Sequence, residues 1–102
     1  MEKIERLCDS IEEEIHDADK YIRWALELKD EDPGLAAVLN TLAGQEMDHM
    51  RMLHNAVAAC IEKYRQEYGA PSADMQSRYD YLHKKHIEKA ADVKILMAYY
   101  RE

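Results

Sequence analysis

Glu46-Met47-Asp48-His49 sets a carboxylate and an imidazole three residues apart. At that spacing both side chains leave the same face of a helix. Together they can chelate one cation, through a glutamate oxygen and a histidine nitrogen. Carboxylate-rich sites with one imidazole suit iron or manganese and accept zinc. The pair interrupts an apolar stripe at helical spacing: Leu35, Leu39, Leu42, Glu46, His49, Leu53, Ala56, Cys60, Tyr64. A second carboxylate, Glu14, interrupts the earlier stripe Ile4, Leu7, Ile11, Ala18, Tyr21, Ala25, Leu28. An inward glutamate without a partner costs several kcal/mol or turns neutral. A divalent cation between Glu14, Glu46 and His49 would compensate these charges, so the three are expected to converge as metal ligands. Tyr21, two turns beyond Glu14, is the candidate to hold that carboxylate through its hydroxyl. Glu12 and Glu13 are adjacent, so Glu13 stays open as the alternative ligand from this segment.

Three helices must position these residues. The first periodic segment runs over about residues 2–30, and Lys29-Asp30-Glu31-Asp32 breaks it. Asp32-Pro33 restarts the pattern with a good N-cap followed by a proline suited to the first helical position. Gly69 is the expected stop, and Ala70-Pro71-Ser72 the second turn, with Ser72 as N-cap. A third stripe follows: Met75, Tyr79, Leu82, His86, Ala90, Val93, Met97, Tyr100. Each helix approaches 30 residues, or about 40 Å. Short connections predict antiparallel neighbours in an all-α bundle spanning 1–102 as one domain. Long thin helices leave much lateral surface, and association between copies is the expected way to cover it.

In di-iron bundles two helices each give a Glu and two others each give Glu-x-x-His. Glu46 and His49 match the second kind of helix, and Glu14 can match the first. One chain therefore carries half of such a ligand set, and a two-fold axis would supply the rest. Residues 11–56 resemble the ferritin-like superfamily. Glu14, Tyr21 seven residues on, and then Glu46-x-x-His49 read like the first half of bacterioferritin and rubrerythrin bundles. The resemblance is closer to the encapsulated ferritins, which are short half-ferritin chains. There a first-helix Glu with a Tyr seven on precedes Asp-Pro-x-Leu-x-Ala-Ile/Val-Leu and then Glu-x-x-His; here Asp32-Pro33-Gly34-Leu35-Ala36-Ala37-Val38-Leu39 is followed by Glu46 and His49. The resemblance implies a ferritin-like helical bundle completed by dimerisation, with an inter-subunit di-iron site and oxidation of Fe(II) (ferroxidase activity, for iron storage or detoxification). It implies Glu14, Glu46 and His49 as iron ligands and catalytic residues, and an encapsulating shell protein as a further partner. The third stripe carries no Glu-x-x-His, and AYYRE at the end shows no flexible recruitment tail. The alternative is a metal-free helical oligomerisation module on a ferritin-like frame.

Other side chains invite blander readings. His83 and His86, three apart on the third helix, are either hydrogen-bonded histidines or a separate zinc site. Glu12 and His16, four apart, could chelate a surface ion but are expected on a solvated face, and His54 has no sequence partner. Met47, Met50 and Met52 read as adaptable packing. Cys8 and Cys60 form no CxxC motif and read as small reduced thiols.

Composition narrows the function class. With 47% hydrophobic and 34% charged residues, the chain can fold around a modest core. A formal net charge of −7 disfavours nucleic acid, which needs a basic face, and favours cations. No apolar run approaches a membrane span, and the N-terminal stretch lacks a hydrophobic signal core, so a cytoplasmic setting is expected. No phosphate loop or nucleophile elbow is present.

Overall fold

The computed structural model describes residues 2–102. Three helices account for nearly all of them: α1 (Glu2–Leu28), α2 (Pro33–Tyr68) and α3 (Ala73–Arg101). Their ends follow local chemistry. The Asp32 carboxylate accepts the Leu35 N–H at 3.2 Å, and Pro33 takes the first helical position. Gly69 closes α2 with φ at +80°, a conformation costly for any residue with a Cβ, and its N–H donates to the Arg65 carbonyl at 2.9 Å. Ser72 caps α3 by accepting the Met75 N–H at 3.2 Å. α1 stops at Leu28, two residues before the expected end, because the chain turns there and the Asp32 N–H donates back to the Leu28 carbonyl.

Side-chain partners give the directions. Glu5 meets Arg78, Glu12 meets Lys85, and Lys29 lies over the Tyr100 ring. The near-constant offset makes α3 parallel to α1. Glu14 meets His49 while Ile4 shares a cavity with Ile61 and Tyr64, so α2 runs antiparallel to both. α1 packs chiefly on α2, α3 rests on α1, and α3 meets α2 only sparsely. The resulting rod measures 55 × 18 × 17 Å.

The α1 core line is Ile4, Cys8, Ile11, Ile15, Ala18, Ile22, Ala25. Every second member of the predicted stripe (Ile4, Ile11, Ala18, Ala25) lies on it. The others, Leu7, Glu14, Tyr21 and Leu28, stand half-buried on its flank. On α2 the displacement is larger. The side chains buried there are Ala36, Leu39, Ala43, Met47, Met50 and Val57. The register that sets Glu14 beside Glu46 puts Ala18 level with Ala43 and Ala25 level with Ala36. These four alanines are fully buried, and small residues there let the two backbones close up. The third stripe holds: His86, Ala90 and Val93 are buried, and Met75, Tyr79, Leu82, Met97 and Tyr100 are half-buried around them.

α2 is consequently two-faced. One face covers α1. The other, about a quarter turn away, carries Leu35, Val38, Leu42, Glu46, His49 and Leu53; Leu42, Glu46 and Leu53 are half-buried at the edge of the core, while Leu35 and Val38 stand 39% and 55% exposed. Among the described residues no helix is long and apolar enough to cross a membrane.

Gly44 lies inside α2 with no positive φ, and an added Cβ would meet only the Met97 Cε, at 4.0 Å. Gly44→Ala should therefore stabilise the fold by about 0.5–1 kcal/mol through reduced unfolded-state entropy. Urea denaturation measures it, and destabilisation would show that α2 needs the gap.

Candidate metal centre

Glu14, Glu46 and His49 come together where α1 and α2 run side by side. One ligand atom from each lies within 4.8 Å of the others. The His49 Nδ1 is 3.5 Å from the Glu14 Oε2 and 3.8 Å from the Glu46 Oε2. These separations are long for hydrogen bonds. They sit close to the roughly 3.0–3.6 Å between two ligand atoms each about 2.1 Å from a common ion. Glu14 is the α1 carboxylate that reaches the pair, and Glu13 is exposed.

The three are not sealed in a core, as their place on apolar stripes had suggested. The side chains are 25% exposed at Glu14, 19% at Glu46 and 54% at His49. They lie on the uncovered flank of the α1–α2 pair because the alanine line takes the direct contact between the helices. α3 is on the far side: Glu12, two residues before Glu14 and so about 200° around the helix, faces Lys85 at 3.1 Å and His86 Nε2 at 3.5 Å.

The electrostatics of the pair are unfavourable without a cation. Glu14 Oε2 is shielded from solvent and finds no donor while Glu46 is ionised. Glu46 is pushed up to about 7 from its ordinary 4.5. The main cause is the hydrogen bond its protonated carboxyl gives Glu14; desolvation and the Glu14 charge act the same way, and His49 opposes them. A metal ion must displace this proton. Apparent affinity should therefore fall as pH drops below 7, by roughly tenfold per pH unit for one displaced proton. Metal titrations at pH 5, 6 and 7 measure the slope, and a flat profile would remove Glu46 from the ligand set.

Tyr21 makes no hydrogen bond to Glu14 among the described residues. It packs on the core, with the Lys20 ammonium 5.0 Å from its ring centre. Met47 and Met50 are core residues, while Met52 is exposed. Cys8 is a free thiol, buried and raised mainly by that burial, which makes it inert packing; Cys60 is also free. His83 and His86 turn to different partners. His86 is 4% exposed and turned to Glu12, and burial holds it below its ordinary pKa. His83 instead meets His54. Sequence spacing missed both cross-helix pairs, since the register of α3 on its neighbours is set by packing and not by local pattern. Glu12 in particular was expected on a solvated face beside His16.

Comparison with protein-family models, with curated proteins and with solved structures finds no match to this chain.

Proposed function

We propose that the chain is a ferritin-like, iron-binding protein whose di-iron centre is completed by a second copy, and that it oxidises Fe(II). Its support is the convergence of Glu14, Glu46 and His49 on a flank where Leu35 and Val38 are exposed apolar side chains. Three ligands make half of a two-glutamate, two-Glu-x-x-His set. Two α1–α2 hairpins laid flank to flank would make a four-helix bundle with both half-sets inside, and would cover Leu35, Val38, Leu42 and Leu53.

Within that bundle each residue has a task. Glu46, Glu14 and His49 would hold the iron, the two carboxylates through oxygen and the imidazole through nitrogen. The negative charge of the two carboxylates would favour Fe(III) over Fe(II). Oxidation of two Fe(II) to two Fe(III) would pass two electrons to dioxygen, which with two protons gives hydrogen peroxide, or to hydrogen peroxide, which with two protons gives two waters. The same donors accommodate manganese or zinc. The apolar flank excludes water once two copies close over it. A metal-free structural module is the second reading, favoured by the proton that Glu46 can share with Glu14 in the absence of any ion.

Two measurements separate them. Aerobic Fe(II) oxidation and iron content are compared between the wild type and Glu46→Ala, and loss of both in the variant is expected. Equal rates and equal iron would leave the metal-free module. Thermal melting with Fe(II) or with a chelator adds a binding readout, because an ion that binds only the folded state raises the midpoint.

A further inference from the structure

The fold gives His54 a partner from another helix. The His54 and His83 rings lie 4.9 Å apart between centroids, tilted by 32°. Tyr79, one turn earlier on α3, stacks on His83 at 6.3 Å. Both histidines are half-buried, so packing holds them while solvent reaches them. Among the described residues neither imidazole makes a hydrogen bond or an ion pair with a protein group. Each neutral imidazole keeps one nitrogen lone pair. The two rings therefore lie side by side with no protein donor to their nitrogens, in a place where α2 and α3 otherwise touch little.

The spacing fits chelation. A metal about 2.0–2.1 Å from an imidazole nitrogen lies about 3.2 Å from the ring centroid. Two rings with centroids 4.9 Å apart then subtend about 100° at the ion. That angle lies between the square-planar and tetrahedral values. Rotation about the Cβ–Cγ bonds can aim the nitrogens without moving either helix.

We propose that His54 and His83 form a second metal site, for a late divalent transition metal of the Zn(II), Ni(II) and Cu(II) group, which latches α3 to α2. Nitrogen-only donors set its preference apart from that of the carboxylate centre. The two sites lie on opposite flanks of the α1–α2 pair. Water fills the remaining coordination positions.

The test uses the full chain carrying Glu46→Gln, so its outcome is independent of the iron reading. Calorimetric titration with Ni(II) or Cu(II) at pH 7.5 should show one ion per chain. Adding His54→Gln or His83→Gln should weaken binding about 100-fold, the effective-concentration advantage of a second tethered ligand. The Cu(II) paramagnetic resonance spectrum should carry nitrogen splitting from two imidazoles, and from one after either substitution. In the chain with both histidines intact, substoichiometric Ni(II) should broaden the His54 and His83 ring-proton resonances before those of His16. No binding, unchanged affinity in His54→Gln, or first broadening at other histidines would each overturn the latch.

Discussion

Glu46→Gln should make the metal-free protein more stable and at the same time abolish its response to iron. The amide can donate to Glu14 Oε2 at any pH, as only the protonated carboxyl can now. The sign follows from proton binding. Glu46 titrates near 7 in the folded chain against an ordinary 4.5, so between these values the folded chain holds more protons than the unfolded one. Stability of the wild type therefore falls as pH rises from about 4.5 to about 7, and the loss is complete above that. With partial solvent screening the cost is about 1–3 kcal/mol, or roughly 5–15 °C in melting temperature. The gain from Glu46→Gln should be greatest at pH 8 and vanish below pH 4.5, in scans made with chelator present. A residue that weakens the fold and is retained for binding behaves in this way. A variant that melts lower than the wild type at pH 8 would mean that Glu46 is structural.

Val38→Lys should separate the chains and stop iron oxidation while leaving each chain folded. Val38 is 55% exposed, so a lysine there costs the single chain little. In a flank-to-flank pair the same position faces the other copy, where an unpaired buried charge costs about 2 kcal/mol or more of association. Sedimentation equilibrium should report a lower mass than for the wild type, and the oxidation rate should fall at least about tenfold. Unchanged mass with unchanged rate would remove the flank as the interface. A lower mass with full activity would put the whole centre in one chain.

The legible part of this molecule was its helices, their caps and the convergence of Glu14, Glu46 and His49. Asp32-Pro33, Gly69 and Ser72 mark ends by chemistry that acts within a few residues, and the structure places them there. Glu46 and His49 were readable because helical spacing fixes their common face. Their orientation was not. Leu35, Leu42 and Leu53 outweigh Ala36 and Ala43 in any sum of hydrophobicity, yet the alanines take the α1 contact because only small side chains let the helices approach. The leucine stripe is thus a second apolar face, and the site sits on it. Glu12–Lys85 and His54–His83 were unreadable for a related reason. Each joins two helices whose relative register no local pattern encodes.

Crystals grown with Fe(II) and measured on both sides of the iron absorption edge test the inter-chain centre most directly. Two anomalous peaks about 3.5–4 Å apart are expected, held by Glu14, Glu46 and His49 from each of two chains. A map with those side chains turned to solvent, or with no second chain beside them, would contradict it.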